Sequence, residues 1–140
     1  MVTPADRPWG KSYAPGVPLD IEVPEESLPD LLDTSVGRFG PRVAVDFFGA
    51  TTTYRELGDQ VARAAEGLRR RGVGKGDRVA LILPNCPQHV VAFYAALRLG
   101  AVVVEHNPLY TAEELEYQLG DHRPSVIVAW DKVAPMASDI

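Results

Sequence analysis

Three short apolar segments at nearly even spacing between residues 77 and 130 constrain the fold more than any other feature of the chain. They cover residues 79–83, 101–104 and 125–130, and helical patterns separate them. Strands of a parallel sheet are buried on both faces, so they read as continuous apolar runs. The pattern therefore predicts a β-α-β-α-β unit in an α/β fold, with a partial doubly wound, mostly parallel sheet flanked by helices.

Two helix starts are marked by capping boxes, in which a Thr and a Glu three residues later satisfy each other's backbone amides. Thr53 with Glu56 begins one predicted helix, which ends at Gly72, and Thr111 with Glu114 begins another. These signals lie within four neighbouring residues. The positions of both helices are therefore predicted independently of the apolar runs.

Two more helices are predicted from caps and periodicity. One covers residues 28–39 behind Ser27 as the N-cap, and one opens at residues 84–87 and runs to about Leu99. The second helix is apolar nearly all round, so it should pack between layers rather than lie on the surface. Residues 43–53 add a β-hairpin around Gly49-Ala50, where glycine in first position predicts a type II′ turn.

The chain divides into a proline-rich arm, residues 1–27, and an incomplete amino-terminal α/β subdomain, residues 28–140. Proline fixes φ and lacks an N–H group, so the arm should run extended rather than form a helix or a central strand. Its apolar side chains predict that it packs on something: Trp9, Tyr13, Val17, Leu19 and Ile21. A second copy of the chain is one such partner, reached through the arm or through an exposed apolar face.

Composition excludes several classes of protein. The net charge of −5 gives no basic face for nucleic acid. A single cysteine, Cys86, rules out a disulfide framework. The amino terminus lacks a secretory signal, and the longest apolar run, residues 90–97, is far shorter than the roughly 18 residues that span a bilayer. We therefore expect no transmembrane segment and a cytoplasmic location, with contact to the inner face of the membrane as a further expectation.

Tests for catalytic motifs are negative on the residues alone. The run from Gly72 to Asp77 lacks the Ser or Thr of a phosphate loop and follows a helix rather than a strand. Cys86 is expected to be a buried structural residue, and His89 a surface or capping residue. His106 is the better candidate, because it follows the strand 101–104 at its carboxyl end, where open α/β sheets bind ligands. No catalytic residue and no metal site is predicted.

Four stretches together carry a resemblance to a known family. The longest runs from Asn107 to Leu119 and begins Asn-Pro-Leu-Tyr-Thr. The others are Thr53-Tyr54-Arg55-Glu56-Leu57, then Gly76-Asp77-Arg78-Val79-Ala80 with Pro84-Asn85, and the arm with Arg7-Pro8-Trp9, Tyr13 and Gly16-Val17-Pro18. They resemble the amino-terminal half of fatty acyl-CoA ligases, which belong to the adenylate-forming, AMP-binding superfamily. The arm and the Asn-Pro-Leu-Tyr-Thr run are similar to the bacterial long-chain members. Glu105-His106 departs from the small or apolar residues common there.

The resemblance implies a ligase that joins a fatty acid to CoA through an acyl-adenylate, with ATP, Mg²⁺ and CoA as cofactors. It places the loop of His106, Asn107 and Pro108 near the nucleotide part of CoA. The alternative for Asn107 is a hydrogen bond to its own loop ahead of Pro108. The family's phosphate loop, adenine and ribose motifs and catalytic Lys have no match before Ile140. We therefore expect the 140 residues alone to bind none of these cofactors and to be inactive.

Two other classes of function stay open from the sequence. One is an adenylate-forming ligase for another carboxylic acid, such as an aromatic, short-chain or amino acid. The other is a non-enzymatic α/β binding module, which predicts a monomer with a sealed surface. A piece of a larger ligase predicts instead an exposed apolar patch where the remainder of the enzyme packs.

Overall fold

The computed structural model describes residues 7–139 and forms a parallel sheet with helices on both faces. Among the described residues of the arm, Pro8–Ser12 forms a 3₁₀ turn. The elements that follow are α1 Leu28–Phe39, β1 Val43–Phe47, β2 Ala50–Thr53, α2 Tyr54–Arg70, β3 Arg78–Ile82, α3 Pro87–Arg98, β4 Val102–Glu105, α4 Ala112–His122, β5 Val126–Ala129 and α5 Ala134–Ser138. The predicted fold class is confirmed. The short helix α5 was not predicted.

The sheet has the strand order β4-β3-β5, and both neighbours run parallel to β3. Val79 on the central strand is in register with Val103 on one side and Val126 on the other. All of β3 after Arg78 is buried, whereas β4 and β5 are edge strands with partly exposed side chains. The central strand β3 is thus continuously apolar because both of its faces are buried, as predicted.

The two faces of β3 belong to two separate cores. Val79 and Leu81 join the larger core, which α1, α2 and α3 cover. Ala80 and Ile82 point the other way and pack with α4 and α5. Helix α3 contacts α1 and α2 as well as β3 and β4, so it lies between layers as predicted. Its buried contacts are made by alanines, while Val90, Val91, Phe93, Tyr94 and Leu97 are only half-buried.

The predicted helix caps form. The hydroxyls of Ser27, Thr53 and Thr111 each accept a hydrogen bond from the backbone N–H three residues later. The carboxylate of that later residue in turn accepts from the backbone N–H of the capping residue. Helix α2 ends where Gly72 adopts a left-handed φ of 89°. The Gly72 N–H donates to the Arg69 carbonyl, and the Val73 N–H donates to the Leu68 carbonyl. Together these two bonds form a Schellman motif. The glycine-rich run after α2 is therefore a helix end and a turn.

The hairpin forms, but its predicted turn type was wrong. Phe47 pairs with Ala50, so the two loop residues are Phe48 and Gly49 rather than Gly49 and Ala50. Their φ values, 52° and 85°, are both positive, as a type I′ turn requires. Asp46 supports the turn by accepting from the Gly49 N–H at 3.0 Å. Glycine occupies the second position, so the bulky Phe48 takes the left-handed conformation at the first.

The described residues of the arm depart from an extended course at two points, the 3₁₀ turn Pro8–Ser12 and a turn that the Val17 N–H closes by donating to the Ala14 carbonyl. Pro8–Ser12 makes a 3₁₀ turn, because proline at its start needs no hydrogen-bond partner for a missing N–H. Arg7 then ties the arm to itself by donating to the Leu19 carbonyl and to the Asp20 carboxylate. The apolar side chains that were expected to pack remain largely exposed, from 42% for Tyr13 to 75% for Ile21. The described residues of the arm thus offer an uncovered apolar surface.

Candidate functional site at the carboxyl edge of the sheet

The carboxyl ends of the three parallel strands meet at one edge of the sheet. After β3 the chain passes to α3 on the face of the larger core, and after β4 it passes to α4 on the opposite face. Neighbouring strands whose connections leave on opposite faces open a crevice between their loops. Ligands of open α/β sheets bind in such crevices. This edge is therefore the candidate site.

One wall of the crevice is the loop that leads into α3. Cys86 is the N-cap residue of that helix, and its side chain makes no capping hydrogen bond. It is half-buried rather than buried, which corrects the prediction of a buried structural cysteine. The cause is its position at the mouth of an apolar cleft of about 450 Å³, which Phe47, Val90, Phe93 and Tyr94 also line.

A hydrogen bond between His89 and Glu105 joins the start of α3 to the end of β4. The Nε2–H of His89, in the first turn of α3, donates to Oε1 of Glu105 at the end of β4, with 2.7 Å between the two atoms. The predicted surface or capping role of His89 is thus replaced by a contact between two elements. Because the Glu105 side chain is 54% exposed, water weakens the attraction and the pair adds little to stability.

His106 lies beneath the loop that follows β4 and is buried, with 6% exposure. Its Nδ1–H donates to Oε1 of Gln118 on α4 at 2.8 Å. Its Nε2 lies 2.9 Å from Nε2 of His122, one helical turn beyond Gln118. Both ring nitrogens of His106 are therefore occupied by side chains of α4, and the histidine joins β4 to that helix.

The environment of His122 lowers its pKa. Burial lowers its pKa, and the adjacent His106 and the Arg78 cation lower it further, while the Asp121 carboxylate opposes them. Its Nδ1 is buried and has no hydrogen-bond partner among residues 7–139. Both features disfavour the protonated form of the His122 imidazole.

Asn107 and Pro108 form the outer surface of the same loop. Asn107 is exposed, and its side-chain oxygen accepts from the Leu109 N–H at 3.0 Å. Its backbone carbonyl accepts from the Tyr110 N–H at 3.1 Å. The loop-supporting hydrogen bond that the sequence left open for Asn107 is thus present. The amide NH₂ of the same side chain takes no part in it.

Comparison with known proteins decides the family. The profile of the family described as AMP-binding enzyme matches residues 32–139. The chain belongs to the AMP-binding enzyme family. Every element from α2 to α5, and thus the whole carboxyl edge, lies inside the matched range.

Relatives within the AMP-binding family include acyl-CoA ligases. The long-chain-fatty-acid–CoA ligase of Bacillus subtilis is 40% identical over 133 residues, which are 95% of this chain and 24% of that protein. The structure of a Mycobacterium tuberculosis fatty acyl CoA synthetase superposes with a TM-score of 0.71 at 30% identity, over 80% of this chain and 23% of that one. A benzoate CoA ligase from Burkholderia xenovorans gives a TM-score of 0.74 at 26% identity, over 79% and 22%. The chain thus spans about a quarter of the length of its relatives.

The AMP-binding fold brings together residues that sequence reasoning treated separately. The histidines looked scattered, yet His106 and His122 touch, and Gln118 completes the group. Gln118 and His122 are four residues apart on one helix, so they lie on the same face, and that spacing was the available signal. The group was missed because the contacts of Gln118 and His122 with His106 depend on where α4 packs.

Two features are absent from the part of this AMP-binding chain that the structure describes, residues 7–139. No group of three His, Cys, Asp or Glu side chains there is arranged to hold a metal ion. None of the helices there combines the length and the apolar character needed to cross a bilayer.

Proposed function

We propose that these residues form the amino-terminal part of an ATP-dependent fatty acyl-CoA ligase. In this reaction the fatty-acid carboxylate attacks the α-phosphate of ATP, which gives an acyl-adenylate and releases pyrophosphate. The thiol of CoA then attacks the acyl carbon and displaces AMP. The observation that supports this proposal most directly is the 40% identity to a long-chain-fatty-acid–CoA ligase across 95% of the chain.

In this proposal the chain supplies a scaffold and one wall of the CoA site. The exposed loop surface of Asn107 and Pro108 lies at the carboxyl edge of the sheet and would contact the nucleotide part of CoA. His106 contributes from beneath, because both its ring nitrogens are bonded to α4. Mg²⁺ would offset the charge of the ATP phosphates. The described residues do not fit it, since they hold no suitable cluster of ligands, and we place the ATP and Mg²⁺ sites elsewhere in the enzyme.

The 140 residues by themselves are proposed to be inactive. Adenylation requires cations and oriented amides around the α-phosphate, and the candidate edge presents a pair of hydrogen-bonded histidines and a histidine–glutamate pair instead. The test is ATP–pyrophosphate exchange by the isolated chain with palmitate. We expect no exchange above background. Exchange that depends on the fatty acid would overturn the proposal of inactivity.

A fatty acid is proposed as the substrate, and an aromatic acid is the second candidate. The alternative is favoured by one observation, the superposition on a benzoate CoA ligase over 79% of the chain. The experiment assays a longer protein that contains these residues, measuring AMP release with palmitate, octanoate, benzoate and an amino acid. Preference for palmitate supports the proposal. Preference for benzoate would move the enzyme to the aromatic class, and no activity with any acid would favour a binding module.

The contact of Asn107 with CoA can be separated from its loop hydrogen bond by two variants of that longer protein. Asn107→Ala removes both the oxygen that Leu109 needs and the NH₂ group, whereas Asn107→Asp keeps the oxygen and removes only the NH₂. If the NH₂ group binds CoA, both variants raise the KM for CoA without changing the KM for ATP. If only the alanine variant does so, the residue serves its loop alone.

Partners and location remain predictions within this proposal. The exposed apolar side chains of the arm and a cleft of about 640 Å³ between α2, α3 and β5 offer surfaces on which the remainder of the enzyme would pack. A second copy of the chain would cover the same faces. A cytoplasmic protein that touches the inner face of the membrane, where free fatty acids partition, fits the proposed substrate.

A further inference from the structure

The two rings of His106 and His122 meet head to head. Their Nε2 atoms are 2.9 Å apart, and the ring centroids are 5.0 Å apart with 27° between the planes. A face-to-face stack would place several atom pairs at similar distances, whereas this geometry joins two nitrogens along their lone-pair directions. Only one hydrogen fits between them. The contact is therefore a single imidazole–imidazole hydrogen bond.

The direction of that bond follows from Gln118. Its side-chain oxygen accepts from Nδ1–H of His106, so Nε2 of the neutral His106 ring carries a lone pair. The Nε2–H of His122 must then be the donor, which leaves Nδ1 of His122 without a hydrogen. Turning the Gln118 amide over reverses both bonds, and Nδ1 of His122 then carries a hydrogen. Either arrangement leaves that buried atom without a partner among residues 7–139.

Adding a proton to this group is unfavourable in the folded chain. With the Gln118 oxygen as acceptor, the available position is Nδ1 of His122, where no acceptor meets the new N–H and burial penalises the charge. Arg78 on β3 adds a second cation nearby, and Asp121 on α4 provides the only opposing charge among the groups that act on His122. A second proton would place two imidazolium rings with their Nε2 atoms facing each other, 2.9 Å apart.

We infer that Gln118 and His122 are positioning residues that hold the loop 107–111 through His106, and that protonation of the histidine pair releases this loop. These three side chains make hydrogen bonds that join the end of β4 to α4. Nδ1 of His122 finds no acceptor in the closed arrangement, so the proton is taken up when His122 moves out to water, and His106 then loses its contact with that residue. The turns of Asn107 with Leu109 and Tyr110 then lose their support. The inference goes beyond the proposed function and does not depend on it.

The first experiment needs no variant, because the chain has only three histidines. Two-bond ¹H–¹⁵N NMR spectra of the 140-residue chain report which ring nitrogen of each histidine carries hydrogen. At pH 7.5 we expect His106 as the Nδ1–H tautomer and His122 as the Nε2–H tautomer, or both reversed. The inference is overturned if both are found in the same tautomer, since one shared hydrogen bond cannot then join them.

The second experiment follows loop release through hydrogen exchange of the Leu109 and Tyr110 amides, corrected for intrinsic rates. If uptake of one proton opens the loop, protection should fall by about tenfold per pH unit below the pH at which the pair is protonated. Protection that stays constant down to the acid unfolding of the whole chain would overturn the inference.

Two substitutions of Gln118 make the result specific. Gln118→Glu places a carboxylate against Nδ1–H of His106, which stabilises a charged pair, so the loop should stay protected about one pH unit further into acid. Gln118→Met removes the acceptor at similar size, so the loop should already be open at pH 7.5. A merely structural Gln118 predicts equal, pH-independent loss in both variants, and that outcome refutes the inference. If the Met variant does not fold, the Glu variant against the native chain decides.

Discussion

Leu115 provides the sharpest test of how α4 is held on the sheet. Its side chain has no exposed surface and packs in the smaller core with Ala80 and Ile82 of β3. Leu115→Ala removes the equivalent of three methylene groups, whose transfer from water contributes about 2.4 kcal/mol at about 0.8 kcal/mol each. Alanines among its neighbours cannot move into the space, so a cavity adds to the loss. We expect the variant to be destabilised by about 3 kcal/mol.

Urea unfolding of the 140-residue chain, followed by far-UV circular dichroism, measures this change. With a slope of about 1.5–2 kcal/mol per molar urea, the midpoint should fall by about 1.5–2 M. Tyr117 is the matched control, because it lies on the same helix and is 81% exposed. Tyr117→Ala should shift the free energy of unfolding by less than about 0.5 kcal/mol. A cost below about 1 kcal/mol for Leu115→Ala, or equal costs for both variants, would refute the packing of α4 described above.

Four further outcomes follow from the structure. Thr111→Ala should lower the free energy of unfolding by about 1 kcal/mol in urea titrations, because the capping box of α4 loses its hydroxyl acceptor. Phe48→Asn should raise the melting temperature, with a gain of about 0.5 kcal/mol, since asparagine tolerates the left-handed conformation that Phe48 adopts. The pKa of His122 is lowered in the folded chain, so folding stability should be full above about pH 6.5 and decline as the pH falls below it. The pKa of Glu114 is also lowered, by its bonds to Thr111, so a second loss should begin below about pH 4.5. Light scattering over a concentration series should show self-association of the chain through its exposed apolar faces.

Each of these outcomes has a control. Thr111→Ser keeps the cap and should be nearly neutral. Phe48→Ala removes the ring without easing the backbone, so a gain equal to that of asparagine would contradict the strain argument. His122→Phe should abolish the decline near pH 6.5 while leaving the decline below about pH 4.5, and a retained upper decline would assign it to another group. A clean monomer at all concentrations would remove the second copy as a partner.

Local signals in the sequence were sufficient wherever the interacting groups are neighbours in the chain. The capping boxes at Thr53 and Thr111 join residues three apart, so their geometry follows once a helix starts there. The apolar run of β3 likewise requires burial on both faces. Local signals did not determine the turn of the hairpin, because Gly49 suits either position of a two-residue loop. Only strand pairing, with Phe47 opposite Ala50, selected the type I′ turn.

By itself the sequence determined the α/β class, the helix ends and the likeness to acyl-CoA ligases, since these depend on periodicity and short motifs. The sequence also named His106, Asn107 and Pro108 as candidates, but only the tertiary structure joined His106 to Gln118 and His122. His106 is separated from Gln118 by 12 residues and from His122 by 16, and their contact exists only because α4 packs against β3. Hydrogen bonds across such separations are set by the packing of layers. A linear pattern carries no record of which side chains that packing brings together.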